Sequence, residues 1–251
     1  IKNEYNRDKK VAYKVEVCDR DGKSIKSFEG TQTVVKPGET ATLEASAEID
    51  GLHFWSWGYG YLYTVKTSLW VDGRKVDEVA TRTGFRKTRF GKGMIWLNDR
   101  VIQMKGFAQR TSNEWPGVGM SVPPWMSDYS NGLMIEHNAN LFGGCMSLPG
   151  NRMWNLVTVW GDTDVACRRC GKRCDRQTLE QRKELMRDVI IYMRNNPSIL
   201  FYESGNESIS REHMVEMIAI RDQYDPYGGR AIVPGRCWIF VRLNMVVKCF
   251  M

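Results

Sequence analysis

Two places in the chain bring together side chains that could do chemistry. One is Gly205-Asn206-Glu207, which follows the apolar run Ser198-Ile199-Leu200-Phe201-Tyr202 and precedes a stretch with helical spacing. A carboxylic acid at the end of a buried strand can donate a proton if burial or a second carboxylate keeps it partly protonated near neutral pH. The plainer reading of Glu207 is an acid in the first turn of a helix, favoured there by the helix dipole. The other place is Cys167, Cys170 and Cys174, with Cys145 upstream. The first pair has zinc-like spacing, but no second well-spaced pair and no nearby His completes a tetrahedral set. The expectation is therefore no metal site and no cofactor.

The elements that must position Glu207 are legible on either side of it. Leu185, Met186, Val189, Ile190 and Met193 recur at helical spacing, and Pro197 stops that helix. The run after Pro197 reads as a strand buried on both faces, as in a parallel sheet. Ser208 or Ser210 can cap the next helix, whose buried stripe would include Met214, Met217 and Ile218. In a (β/α)8 barrel such a strand-to-helix loop lies at the C-terminal mouth, where catalytic groups are placed.

The first third has a different pattern. Residues 11–19 alternate before Asp21-Gly22, and Pro37-Gly38 punctuates two further runs. Tyr63, Val65, Thr67, Leu69 and Val71 share one face at period two, and Asp72-Gly73 turns the chain into a following strand. Turn-separated short strands predict an immunoglobulin-like β-sandwich over residues 1–90. The boundary is placed near Phe90. Asn98-Asp99 then makes a small hairpin, and a long irregular stretch follows it.

Composition excludes several classes. The 251 residues are 42% hydrophobic, enough for real cores, and no uninterrupted apolar run is long enough to span a bilayer. The net charge of +7 invites a nucleic-acid reading, but neither a recognition helix nor a repeated basic and aromatic pattern is visible. The expected partner is thus neither a nucleic acid nor a membrane.

The segment Asn195 to Ser208, NNPSILFYESGNES, resembles the part of glycoside hydrolase family 2 in which an Asn-x-Pro-Ser strand ends in Gly-Asn-Glu. YGYLYTVKTSLWVDGRKVDEVATRTGFRK resembles the end of that family's central sandwich, and LNDRVIQMKG its entry into the barrel. The resemblance implies a β-sandwich followed by an incomplete (β/α)8 TIM barrel over 91–251. It also implies a retaining glycosidase acting on a β-glycoside carbohydrate, β-galactosidase being favoured. Glu207 would be the acid/base residue and Asn206 would hydrogen-bond the sugar 2-hydroxyl. Glu203 would be a supporting carboxylate. A retaining enzyme needs a second carboxylate roughly 5 Å away as nucleophile. The resemblance places that residue on a later strand, absent from this chain, so the chain alone is expected to be inactive.

Residues 142–176 and 233–251 depart from the family. Read one base out of register, permissible codons for these stretches yield family-like runs, which points to small insertions or deletions in the coding sequence. The late cysteines would then be accidents of the reading frame. Two other classes compete. One is a noncatalytic carbohydrate-binding or interaction module using Phe54, Trp55, Trp57, Tyr59 and Tyr61, aromatics that more often pack an interface. The other is a zinc-binding module centred on Cys167, Cys170 and Cys174.

Overall fold

The computed structural model describes residues 1–109, 123–144, 157–160, 176–205 and 210–233. Two compact units account for them: Ile1–His53 with Tyr61–Phe85, and Phe54–Gly60 with the chain from Arg86 onward. Phe90, where the sequence suggested a boundary, lies in a strand of the second unit.

The first unit is built on an antiparallel sheet of β1 (Lys9–Cys18), β2 (Ser24–Glu29), β3 (Thr33–Val35), β4 (Tyr63–Val71) and β5 (Arg74–Thr83). Its order is β2-β1-β4-β5, with β3 also beside β1. Val11, Tyr13, Val15 and Val17 of β1 stand opposite Val71, Leu69, Thr67 and Val65 of β4. The period-two set of β4 therefore falls on one face, because side chains alternate across a strand and register carries the apolar set with it.

On that face Val15, Val17 and Tyr63 form a core cluster, covered by Ala45, Ile49, Leu52 and Phe85. The covering layer between β3 and β4 contains no regular strand, so this β-rich, sandwich-like unit has one regular sheet among its described residues. Gly30 permits the two layers to approach: a Cβ there would stand 2.3 Å from the Glu44 carbonyl oxygen. Asp72 (φ 50°) and Gly73 (φ 80°) supply the two left-handed residues that a tight hairpin turn requires. The Asp72 carboxylate also accepts from Lys9 Nζ at 2.6 Å and from Lys10 N at 3.1 Å. These bonds, the Lys9 ammonium first among them, hold its carboxyl below the usual aspartate range.

The second unit opens with an antiparallel meander of β6 (Thr88–Gly91), β7 (Met94–Leu97) and β8 (Arg100–Ile102). Asn98 (φ 49°) and Asp99 (φ 66°) make the expected hairpin, and Lys92 (φ 48°) with Gly93 (φ 72°) makes a second that the sequence reading did not identify. A five-stranded sheet follows: β9 (Gly106–Gln109), β10 (Leu141–Gly144), β11 (Val157–Trp160), β12 (Ile199–Glu203) and β13 (Ala231–Val233). Every neighbouring pair is parallel, and spatial order follows chain order.

Helices α1 (Pro124–Glu136), α2 (Arg176–Met193) and α3 (Arg211–Tyr224) fall between β9 and β10, β11 and β12, and β12 and β13. Met186, Ile190 and Met193 of α2, Ile199 and Tyr202 of β12, Met217 of α3 and Ile232 of β13 form one buried cluster. Val189, Met214 and Ile218 pack on its margin. Leu185 departs from the expected stripe and is 39% exposed, while Arg182, one turn earlier, is buried. The stretch expected to be irregular contains α1, which starts at Pro124 with Pro123 as N-cap, a position proline tolerates because the first amides need no helical partner. Residues 142–144 and 157–160, within the stretch set apart as out of frame, are strand residues in β10 and β11. Cys145, Cys167, Cys170, Cys174 and the tail from 234 lie outside the described residues.

Candidate active-site loop

The segment that would carry the proton donor falls between β12 and α3 in the chain. Asn206 and Glu207 themselves lie outside the described residues, which resume at Ser210. What the structure shows is how both ends of this four-residue gap are held.

The approach is β12, whose residues Ile199, Leu200, Phe201 and Tyr202 are all buried, as the uninterrupted apolar run predicts. A strand with both faces covered can hold its C-terminal end in fixed register with its neighbours. Glu203 stands opposite Val233 of β13 and is half-buried. Ser204 continues the pairing: its N–H donates to the Val233 carbonyl at 2.9 Å. Its hydroxyl lies 3.3 Å from the same oxygen and 2.9 Å from Met214 Sδ. Gly205 then has φ 139°, a conformation that side chains disfavour, so glycine is needed where the chain leaves the strand.

On the far side Ser210 caps α3. Its Oγ accepts from the His213 amide at 3.2 Å, satisfying one of the free N–H groups of the first turn. Of the two candidate caps, Ser210 is the one described. The His213 ring is buried, and its Nε2 lies 2.8 Å from the Ser204 carbonyl oxygen. Burial holds this imidazole below its ordinary pKa; the Ser204 bond works in the opposite direction, and the Arg182 cation adds to the depression.

The other end of β12 is fixed by a cluster of buried charge. Arg230 donates to Asp225 Oδ2 at 2.8 Å, to the Ile199 carbonyl at 2.9 Å and to the Asn196 carbonyl at 2.7 Å. Tyr202 Oη donates to the same Asp225 oxygen at 2.9 Å, and burial raises that phenol's pKa well above the ordinary range. Arg86, the arginine of Gly84-Phe85-Arg86, donates to the carbonyls of Pro197 (2.5 Å), Ile199 (2.6 Å) and Gly228 (3.0 Å). Arg86 is only half-buried as a residue, but three carbonyl oxygens enclose its guanidinium; that desolvation, with Arg230 nearby, lowers its pKa to about 9. It remains a cation at neutral pH. The planar fork of arginine suits such divergent acceptors, which a lysine could not reach together. The sequence gives no periodic signal for this cluster, because its members come from three separate loops and one strand.

The aromatic group considered for carbohydrate stacking is divided by the fold. Trp55 is fully buried, and its carbonyl accepts from Asn98 Nδ2 at 2.9 Å. Tyr61 belongs to the first unit, between His53 and Tyr63 with ring centroids 5.0 and 4.9 Å away. Trp57 is partly exposed on an open groove of about 650 Å³, with Val101, Gln103, Ile135 and Asn138 among its walls. Among the described residues no group of three or more His, Cys, Asp or Glu could hold a metal ion. No helix there is long and apolar enough to cross a membrane.

The described units are those of a sandwich-like β domain followed by a parallel sheet with intervening helices. Residues 1–86 match the family model described as Glycosyl hydrolases family 2. A β-glucuronidase of Formosa agariphila is 26% identical over 234 residues, covering 92% of this chain and 24% of that protein. A β-galactosidase of Halalkalibacterium halodurans is 25% identical over 240 residues, covering 88% of this chain and 23% of its own length. Among solved structures, a β-glucuronidase from glycoside hydrolase family 2 superposes with a TM-score of 0.77 over 93% of this chain and 24% of that one, at 24% identity. Residues 1–86 thus resemble glycosyl hydrolase family 2, and the chain spans about a quarter of the length of these relatives.

Proposed function

We propose that this chain carries the acid/base half of a retaining β-glycosidase active site, with Glu207 as proton donor and Asn206 as ligand of the sugar 2-hydroxyl. The carrying observation is the setting of residues 206–209: they follow a parallel strand whose first four residues are buried and precede a helix capped by Ser210. Parallel strands in sequential order with helices between them are what the first strands of a (β/α)8 barrel would form, and active sites of such barrels lie beyond the C-terminal strand ends. Residues 91–251 are on this reading the opening part of a barrel.

The chemistry follows from the bond to be broken. A glycosidic oxygen leaves poorly as an alkoxide, so the Glu207 carboxylic acid gives it a proton as the C–O bond lengthens. A second carboxylate attacks the anomeric carbon, and Glu207, now ionised, later takes a proton from the water that releases the sugar. That nucleophile is expected from a later strand. Relatives named β-glucuronidase and β-galactosidase both match, so the β-galactosidase expectation shares its support with a β-glucuronide substrate.

The test assays nitrophenyl β-glucuronide, β-galactoside and β-mannoside with the full-length enzyme that carries this segment, beside its Glu207→Gln variant. Turnover of one glycoside that falls at least about a hundredfold in the variant is expected for loss of a general acid. Unchanged turnover would remove Glu207 from the role.

A further inference from the structure

We propose that the open groove beside Trp57 is a binding site for an acidic oligosaccharide; Glu207 plays no part in it. The groove holds about 650 Å³, within the range of small-molecule sites, and three segments of the second unit build it. Gln103 and Lys105 lead into β9, and Asn138 and Asn140 lead into β10, so the groove lies at the end of the parallel sheet where the strands begin.

Each wall is fixed by bonds of its own. Ser56 and Tyr59 exchange backbone hydrogen bonds at 3.0 and 3.1 Å, and Gly58 at φ 71° supplies the left-handed residue that so tight a turn needs. Trp57 thus stands in a closed turn, and Trp55 just before it is fully buried. Asn140 clamps the other two segments together: its Nδ2 donates to the Gln103 carbonyl and its Oδ1 accepts from the Lys105 amide, both at 2.7 Å. Asn138 follows the last turn of α1 at φ 61°, a conformation that asparagine tolerates. Walls set beforehand lose little freedom when a ligand arrives.

The chemistry of these walls identifies the occupant. Trp57 is 37% exposed, and the side chains of Gln103, Lys105 and Asn138 are exposed with no hydrogen-bond partner among the described residues. A primary amide both donates and accepts, as hydroxyl groups do, so two amides suit the rim of a sugar ring. The indole offers a flat apolar plate for the C–H face of that ring. Lys105 is the one charged group among the described residues of the lining, and no carboxylate there offsets it. It favours a sugar that carries a carboxylate, a uronic acid, over a neutral one. An apolar peptide segment would instead cover the amides and the ammonium without giving them partners, which costs binding.

The experiment titrates the full-length protein that carries this segment with two β-1,4 tetrasaccharides, one of glucuronic acid and one of glucose, both joined through sulfur to resist hydrolysis. Calorimetry follows binding, and circular dichroism with thermal midpoints confirms that Trp57→Ala and Lys105→Gln fold. Tetrasaccharide bound elsewhere on the protein is read as the part that persists in Trp57→Ala. One binding event of the acidic probe should weaken about tenfold or more in Trp57→Ala, as for an aromatic at the centre of a contact. Lys105→Gln should weaken the same event about threefold, the size of an exposed ion pair, and leave the neutral probe unchanged. The wild-type preference for the acidic probe should fade as salt is raised. Absence of any Trp57-dependent binding by folded protein, the result if another part of the longer chain fills the groove, would overturn the site. Equal affinity for the two probes with no effect of Lys105→Gln would overturn the acidic ligand.

Discussion

Replacing Asp225 by alanine tests whether the buried charge cluster fixes the base of β12. The carboxylate accepts at 2.8 Å from Arg230 and at 2.9 Å from Tyr202, and the Arg230 and Asp225 side chains are 4% and 7% exposed. Its removal leaves a buried guanidinium without its counter-charge and a buried hydroxyl without its acceptor. The unpaired hydroxyl alone costs about 1–3 kcal/mol, and breaking one side of a buried ion pair about 3–5 kcal/mol. Arg230 keeps its bonds to the Ile199 and Asn196 carbonyls, so the expected loss lies toward the lower end, about 3–4 kcal/mol. With a urea slope of roughly 2 kcal/mol per molar, the unfolding midpoint should fall by about 1.5–2 M.

The assay is urea unfolding of the chain, followed by tryptophan fluorescence and circular dichroism. Arg230→Met in the Asp225→Ala background should cost far less than in the native background, with a coupling of about 2 kcal/mol. A loss below about 1 kcal/mol for Asp225→Ala, or additive single effects, would refute the argument, since a cluster on this geometry cannot lose its centre cheaply.

Other perturbations probe separate links of the account. Arg86→Met should destabilise by about 2–4 kcal/mol in the same assay, because it strands the Pro197 and Gly228 carbonyls. Met217→Ala, at a fully buried position of the α2–α3 cluster, should lower stability by about 2–5 kcal/mol. Gly73→Ala should cost about 1 kcal/mol or more through backbone strain alone, since φ is 80° and nothing lies within 4 Å of a Cβ there; the thermal midpoint reads this. The folded state holds His213 below its ordinary value of 6.5, so the unfolded chain takes up its proton first as pH falls. That contribution to stability is complete above 6.5 and is lost as pH drops through 6.5 toward the folded value. Midpoints between pH 7.5 and 5.5 should therefore decline less steeply in His213→Gln.

Where a single period governs the packing, the sequence is a good guide. The β1–β4 face, the buried run before Glu203 and the Met217 stripe of α3 all come from alternation or helical spacing. Turns at Asp72-Gly73 and Asn98-Asp99 are readable because they use residues that tolerate positive φ. Lys92-Gly93 does the same job, but lysine gives no such signal. In helix α1 hydropathy and burial part company: Trp125, Tyr129 and Leu133 recur at helical spacing yet are exposed, while Asn131 is buried, as Met126 is. Leu185 and Arg182 exchange the roles that hydropathy assigns them, since Arg182 is the one turned inward. His213 looks like an ordinary surface-helix residue in the sequence, and only the crossing bond to Ser204 marks it.

The central claim is that Glu207 is the proton donor of a β-glycosidase, and leaving-group dependence tests it most directly. Measured across a series of aryl β-glycosides of one sugar, kcat/KM of the full-length enzyme should vary weakly with the phenol's acidity, because protonation compensates for a poor leaving group. The Glu207→Gln variant should show a steep dependence, with the largest loss for phenol and the smallest for dinitrophenol. Parallel, uniformly displaced lines for the two proteins would contradict the account.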